Sequence, residues 1–180
     1  TPLELHGIAF TKSGSEVEIH IGVEHDEPKF IIPDLLPHLA KEQMKIDGTK
    51  LIEGEDLNII CGHIPVCDKE IKEKIKLNVL KYLNDSYGLI EEDFICAEHE
   101  FVPAQKPVDI GFDRGIVGAY GQDDRVCVYS SLRAITSVKN PVHTAVAFFC
   151  DKEETGSWGN TGAESFALLH FTRDYLKLIG

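Results

Sequence analysis

Two pairs of adjacent acidic residues are the parts of this sequence most able to do chemistry. Asp123 and Asp124 lie directly before a helical pattern, and Glu153 and Glu154 follow an apolar run. Acids at a helix start can simply cap the helix and favour the positive end of its dipole. Acids after a strand can simply form a solvated turn. Taken separately, each pair is better explained by these structural roles.

The elements between the two pairs predict that the pairs meet. Residues 124–138 have a helical pattern, residues 143–150 predict a strand buried on both faces, and residues 163–179 predict a second helix. In a parallel sheet this order brings successive strand ends to one edge, where α/β folds bind ligands. Four carboxylates held close together repel one another unless a cation is present. The two pairs together therefore predict a divalent metal site.

The first part of the chain has a different pattern, dominated by short strands. Strand patterns occur at residues 3–8, 17–21, 29–32, 57–64 and 94–102, and residues 37–44 predict one or two helical turns. Residues 68–87 predict an amphipathic helix that Asp68 caps and Gly88 ends. Pro103 and Pro107 mark a joint. We predict a mixed α/β fold, with a strand-rich unit at residues 1–105 and a piece of an α/β domain at residues 106–180.

Composition narrows the class of protein. The chain has 180 residues, of which 43% are hydrophobic, so a packed core is expected rather than disorder. The formal net charge of -12 disfavours nucleic acid and anionic membrane as partners. No signal peptide or long apolar span is visible, and the chain starts inside a strand pattern and stops one helix after an acidic motif. We expect a soluble piece of a longer protein that binds neither nucleic acid nor membrane.

The cysteines indicate a reducing compartment. There are five of them and no Cys-x-x-Cys pair, which predicts a cytoplasmic protein with free thiols. Cys127 and Cys150 lie in apolar runs and are expected to pack as small hydrophobes. A structural zinc site would be a rival use for the remaining cysteines and nearby histidines, but their spacing is irregular and disfavours it. The residues concerned are Cys61, His63, Cys67, Cys96 and His99.

The motifs together resemble a known family. The strings GAYGQDDRVCVYSSLRAI and AVAFFCDKEETGSWGNTGA resemble the dinuclear zinc metallopeptidases of the aspartyl aminopeptidase and yeast vacuolar aminopeptidase I family, in its bacterial branch. PLELHG and IPDLLPHLAKEQ also fit, so the resemblance covers the whole chain. It implies a strand-rich inserted dimerisation domain at residues 1–105. It also implies that residues 106–180 form part of a three-layer α/β catalytic domain.

The resemblance implies a role for each residue of the acidic motifs. Asp123 matches the carboxylate that bridges two zinc ions, Glu154 matches a ligand of one of them, and Glu153 matches the general base. Asp124 and Arg125 match supporting positions. The implied protein holds two Zn²⁺ per full-length subunit, with Co²⁺ or Mn²⁺ also able to occupy such ligands. Its substrates are peptides with a free N-terminus, and it forms homo-oligomers through residues 1–105.

His38 is the other residue to which the resemblance gives a role. In the family, a histidine from the matching segment reaches the neighbouring subunit's active site and helps stabilise the oxyanion. Without the resemblance, His38 is simply a surface histidine in a short helix. Both interpretations remain open on the sequence alone.

Part of the family's metal site is missing from the sequence. None of the eight histidines stands in a His-x-Asp motif, and the later acidic ligand and the final histidine are also absent. Two carboxylates are fewer than the three or four protein ligands of a stable zinc site. We therefore expect this chain alone to bind metal weakly and to be inactive. The alternative is a non-catalytic module for subunit contact, and a preference for acidic or neutral N-terminal residues stays open.

Overall fold

The computed structural model describes residues 1–50, 52–154, 156–159 and 161–180, and its fold is mixed α/β as predicted. The chain divides into two compact units, Thr1–Tyr120 and Gly121–Gly180. This division lies later than the predicted joint near residue 105. The assignment of a dimerisation role to residues 1–105 and a catalytic role to residues 106–180 stays a prediction.

A three-stranded antiparallel sheet organises the first unit. It contains β1 (Leu3–Phe10), β2 (Glu16–Ile21) and β3 (Glu98–Pro103), in the order β2-β1-β3. Alternation along β1 and β2 sends every second side chain into the core, because successive residues of a strand point to opposite faces. The core cluster consists of Leu5, Ala9, Ile19, Ile21 and Leu89, all buried.

The opposite face of the same sheet is polar. Glu4 and His6 of β1 alternate with the buried leucines, and Glu18 and His20 of β2 alternate with the buried isoleucines. The register pairs His6 with His20 on one side and with Glu100 of β3 on the other. The sheet is therefore apolar on one face and rich in histidine and glutamate on the other.

Helix α1 (Lys74–Tyr87) confirms the predicted amphipathic helix but begins later than predicted. Gly88 ends it in a left-handed conformation, and its N–H donates to the Asn84 carbonyl. The prediction that Asp68 caps the helix is wrong. Asp68 instead accepts the N–H of Glu70 at 2.9 Å in a turn before the helix, a local bond with which short acidic side chains compete against helix formation.

A pocket that is partly open to solvent adjoins the core of the first unit. It has a volume of about 460 Å³ and is lined mainly by apolar residues, many of them from β1, β2, β3 and α1, with His99 of β3 also on its wall. The Nε2 atom of His99 is buried and has no hydrogen-bond partner among the described residues. Partial burial of the ring disfavours its charged form and so lowers the pKa of His99.

Several short predicted elements of the first unit differ from the structure. Residues 37–44 form short helical turns as predicted, with N–H bonds from Ala40 to Leu36 and from Met44 to Ala40, but the only assigned helix there is the 3₁₀ helix Gln43–Lys45 among the described residues. Residues 57–64 contribute one bridge, from Ile60 to Ile31, rather than a strand. Residues 94–102 are divided between the 3₁₀ helix Glu91–Cys96 and β3, because the acidic start of this segment favours a helical turn.

The remaining elements confirm two predicted helices and correct one predicted strand. A hairpin of β4 (Val108–Ile110) and β5 (Ile116–Gly118) ends the first unit. In the second unit, α2 (Gln122–Ser137) and α3 (Ala167–Ile179) confirm the two helices. Residues 143–150 form no strand, and no strand among the described residues pairs with them.

The segment predicted as a buried strand is also more exposed than expected. The exposed fraction of Val146 is 56%, because no neighbouring strand covers it among the described residues. Cys127, expected to be buried, is exposed, whereas Cys150 is half-buried; all five cysteines are free thiols. No helix in the described part of the chain is long and apolar enough to cross a membrane.

Candidate functional site

Asp123 lies at the start of α2 but outside its helical geometry. Its backbone is extended, with φ -87° and ψ 114°, and the peptide bond to Asp124 is cis. Asp124 has φ -115° and ψ 20°, and regular helix follows it. The Asp123 side chain is exposed and that of Asp124 is half-buried. Because its side chain is exposed, the Asp123 carboxylate is accessible to a ligand.

Glu153 and Glu154 lie on a closed turn that precedes α3. The Asp151 N–H donates to the Thr161 carbonyl at 3.1 Å, and the Ala163 N–H donates to the Lys152 carbonyl at 2.7 Å. These bonds close the segment into one loop, and both glutamates are exposed on it. Thr155, which belongs to the same acidic motif, lies outside the described residues.

Ser157 fixes the backbone beneath the two glutamates. Its side chain is buried, and its hydroxyl donates to the carbonyl of Glu153 and to the carbonyl of Glu154, the latter at 3.2 Å. Sequence reasoning did not identify Ser157. Its position one residue after Gly156, in a glycine-rich turn, was the available signal. The hydroxyl restrains the main chain while both carboxylates remain exposed.

Gly162 allows this turn to close. A Cβ atom at this position would overlap the backbone of Ser157, including its carbonyl oxygen. The same carbonyl accepts the N–H of Glu164 at 3.0 Å. Only glycine permits so close an approach of two backbone segments. The position of Glu153 and Glu154 on the closed turn therefore depends on glycine at position 162.

Asp151 is the third acid of the turn, and its charge is compensated. The Lys152 ammonium donates to its carboxylate at 3.0 Å, and the Thr161 hydroxyl donates to the same oxygen at 3.2 Å. The hydrogen bond from Lys152 is the largest cause that holds the pKa of Asp151 below its ordinary value. Asp151 therefore acts as an anchor of the turn.

The predicted metal ligands are only part of a complete site. Carboxylate oxygens of Asp123 and Glu154 are donors that zinc accepts, so their chemistry fits a zinc ion. Within the described ranges, however, no group of three or more His, Cys, Asp or Glu side chains is arranged to hold a metal. Zinc sites use three or four protein ligands. The assignment of Asp123 and Glu154 as metal ligands therefore stays a prediction, and these two carboxylates alone are too few for a zinc site.

The rival cysteine and histidine site is not formed either. Cys61, His63, Cys67, Cys96 and His99 belong to the first unit, and none of them joins a metal-holding group among the residues that the structure describes. Burial raises the pKa of the Cys61 thiol, which disfavours the thiolate that a zinc ligand needs.

His38 lies in the first unit, whereas the acidic motifs lie in the second. It is exposed in a turn at residues 37–39, which the Ala40 N–H closes by donating to the Leu36 carbonyl at 3.0 Å. Leu35, Leu36 and Leu39 are exposed beside it. This chain therefore carries His38 on an apolar, accessible segment.

The known proteins whose sequences resemble this chain all carry the name of one family. The family profile described as aminopeptidase I zinc metalloprotease (M18) matches residues 1–179. A probable M18 family aminopeptidase 1 of Thermotoga maritima is 51% identical over 179 residues, which are 99% of this chain and 39% of that protein. A protein of the same description from Clostridium acetobutylicum is 46% identical over 99% of this chain and 38% of its own length.

Solved structures agree with these sequence matches. A crystal structure of an M18 family aminopeptidase from Thermotoga maritima has a TM-score of 0.84 and 50% identity, over 99% of this chain and 39% of that one. Aminopeptidase I from Clostridium acetobutylicum has a TM-score of 0.79 and 46% identity, over 97% of this chain and 38% of that one. This chain thus spans about 39% of the length of the first of these relatives. It belongs to the M18 family of aminopeptidase I zinc metalloproteases.

Proposed function

We propose that the protein to which this chain belongs is a zinc-dependent aminopeptidase that removes N-terminal residues from peptides. The observation that carries the proposal is the match of residues 1–179 to a zinc metalloprotease family, in a chain that exposes Glu153 and Glu154 on a closed turn. The relatives named as aminopeptidases support the same activity.

In the proposed enzyme, Asp123 and Glu154 would hold the zinc, Asp123 as the ligand shared by two ions and Glu154 as a ligand of one. Zinc, when bound, would acidify water and polarise the scissile carbonyl. The Glu153 carboxylate would accept a proton from the attacking water and pass it to the leaving amine. The exposed position of Glu153 and the restraint of its backbone by Ser157 support this role. Zinc is the proposed physiological metal, and Co²⁺ or Mn²⁺ are alternatives for the same ligands.

The rest of the proposed site comes from outside this chain. Two carboxylates do not complete a zinc site, and this chain covers only 39% of the length of the Thermotoga maritima relative, so we place the remaining ligands in the rest of the full-length protein. We propose that residues 1–105 form a homo-oligomer contact and that His38 reaches a neighbouring subunit's site. The exposed leucines beside His38 support a contact surface there. The net charge of -12 and the free cysteines support a cytoplasmic protein.

Two substitutions in the full-length protein test the assignment of roles. Glu153→Gln should remove nearly all turnover of an aminoacyl-anilide while leaving the metal content unchanged, because the amide cannot accept the proton. Asp123→Asn should lower both turnover and metal content, since it weakens a ligand. Kinetics and metal analysis of the purified proteins provide the measurements.

Asp124→Asn is the matched control, because it changes the neighbouring acid, to which we assign a supporting role. It should retain much more metal than Asp123→Asn. Substantial turnover by Glu153→Gln would show that another group is the base. An inactive full-length protein with both acidic pairs intact would favour the alternative of a subunit-contact module.

A further inference from the structure

Two histidines face each other on the polar side of the sheet in the first unit. His6 of β1 and His20 of β2 are direct cross-strand partners, and their Nδ1 atoms are 3.1 Å apart. Their rings meet edge to face, with centroids 5.2 Å apart. Both strands belong to one hydrogen-bonded ladder, so the sheet itself holds the two imidazoles together.

The outer nitrogens of both rings lie near carboxylates. The Nε2 atom of His6 is 2.9 Å from Glu4, and the Nε2 atom of His20 is 3.7 Å from Glu18. A carboxylate only accepts hydrogen bonds, so Glu4 favours a proton on Nε2 of His6 and leaves its Nδ1 as an acceptor. Glu18 is beyond hydrogen-bond distance of His20, so without a metal the Nδ1–H of His20 can donate to the Nδ1 of His6. A metal ion between the two rings would take the place of this proton, and the Nε2 of His20 would then carry the ring proton and point toward Glu18.

We propose that His6 and His20 form a binding site for one divalent transition-metal ion, held by the two Nδ1 atoms. Two nitrogen ligands of a tetrahedral ion, each roughly 2.0–2.1 Å from the metal, are separated by roughly 3.3 Å, close to the observed spacing. A histidine ligand also commonly donates its other N–H to a carboxylate. Glu4 and Glu18 stand in that position for the two rings.

Charge on the same face adds to the attraction for a cation. Glu98 and Glu100 of β3 alternate with inward residues, and the register places Glu100 opposite His6. The whole chain carries a net charge of -12, which raises the local concentration of cations. Imidazole nitrogen suits Zn²⁺, Ni²⁺ and Cu²⁺ rather than Mg²⁺ or Ca²⁺.

The site has two protein ligands and open positions. No third His, Cys, Asp or Glu side chain completes a metal-holding group in the part of the chain that the structure describes. Water therefore fills the remaining positions, and the affinity is lower than that of a structural zinc site. Protons compete for the same nitrogens, so binding weakens as the pH falls. The site involves neither Asp123, Glu153 nor Glu154 and does not rest on the proposed peptidase function.

The test is a titration of the full-length, zinc-loaded protein with Ni²⁺, in which calorimetry measures the heat of binding. The wild-type protein should bind a further ion per chain, and His6→Gln and His20→Gln should each lose that binding. Glu4→Gln keeps both imidazoles and should bind roughly tenfold more weakly, because it removes a carboxylate partner of one ligand. His25→Gln is the control, since it removes an exposed histidine elsewhere in the same unit.

A second measurement separates the pair from other surface ligands. Cu²⁺ added to the zinc-loaded protein should give an electron paramagnetic resonance spectrum with coupling to two nitrogen nuclei, and either histidine substitution should remove one of them. The proposal is overturned if no further ion binds to the wild type, or if His6→Gln and His20→Gln bind it unchanged. Thermal unfolding of each variant establishes that the sheet remains folded, and aminopeptidase activity does not enter either result.

Discussion

At the scale of single residues, the Ser157 hydroxyl restrains the backbone that carries Glu153 and Glu154. It donates to the carbonyls of Glu153 and Glu154 from a buried position. We expect Ser157→Ala to destabilise the full-length protein by about 1–3 kcal/mol, because both carbonyls lose their donor inside the turn. Aminopeptidase turnover should fall as well, since the glutamates lose their restraint. Thermal unfolding and steady-state kinetics measure the two effects.

Ser130→Ala provides the matched control. The Ser130 hydroxyl also donates to a backbone carbonyl, that of Val126 at 2.9 Å, but it lies exposed on α2, where water can replace it. Its loss should cost little stability and no turnover. Equal effects of the two substitutions would mean that the turn does not depend on Ser157.

Sequence alone indicated the acidic residues of the candidate site but not Ser157, which restrains the backbone beneath two of them. Asp123, Glu153 and Glu154 were recognisable because adjacent acids at element ends form a local pattern. Ser157 was not recognisable, because its role arises only when the turn closes and brings its hydroxyl onto two carbonyls. The convergence of the two acidic pairs on a metal stays a prediction.

At the scale of elements, the half-buried His99 of β3, whose Nε2 atom is buried, is expected to make the first unit sensitive to pH. Burial lowers the pKa of His99, so the unfolded chain takes up this proton at a higher pH than the folded chain does. Its contribution to the free energy of unfolding therefore falls as the pH drops below the ordinary histidine pKa of about 6.5. The loss ends once the pH is below the pKa of the folded state.

We expect His99→Leu to reduce this dependence. The difference between the melting temperatures at about pH 7.5 and about pH 5.5 should be smaller in the variant than in the wild type, because the titrating group is gone. His25→Leu removes an exposed histidine and should leave the difference unchanged. An unaltered difference in His99→Leu would show that other groups cause the acid sensitivity.

The elements that sequence reasoning predicted well are those whose signals are local. Strands β1 and β2 follow from alternation, and the end of α1 follows from Gly88, which adopts the left-handed conformation. Helix α1 begins later than the sequence predicts, because Asp68 bonds to Glu70 locally instead of capping the helix. The strand predicted at residues 143–150 depends on a pairing partner, and strand pairing is set by distant residues that periodicity does not reveal.

At the scale of the whole molecule, the proposed oligomer predicts complementation between subunits. If His38 acts in a neighbouring subunit's site, then His38→Phe and Glu153→Gln should each be nearly inactive as homo-oligomers of the full-length protein. Mixed oligomers should regain part of the activity, because some sites then combine an intact Glu153 with an intact His38 from a neighbour. Kinetics after joint dissociation and reassembly of the two variants measure this.

The control mixes Glu153→Gln with Asp123→Asn, since both residues belong to the same subunit's site in our proposal. Every subunit in that mixture has a defect in its own site, and both variants already supply an intact His38. Exchange of subunits therefore cannot restore activity. Activity in the control, or no activity in the His38 mixture, would contradict action of His38 between subunits.

The pocket beside α1 affects which substitutions the first unit can accept. Close-packed cores resist an enlarged side chain because no space is left to receive it. Here about 460 Å³ is open beside Leu83, whereas Val79 already lies against Gly62, where an added Cβ atom would be 2.7 Å from the valine methyl group. We therefore expect position 83 to accept a bulkier apolar residue more readily than position 79. Position 162 accepts no side chain, because a Cβ atom there would overlap the Ser157 backbone.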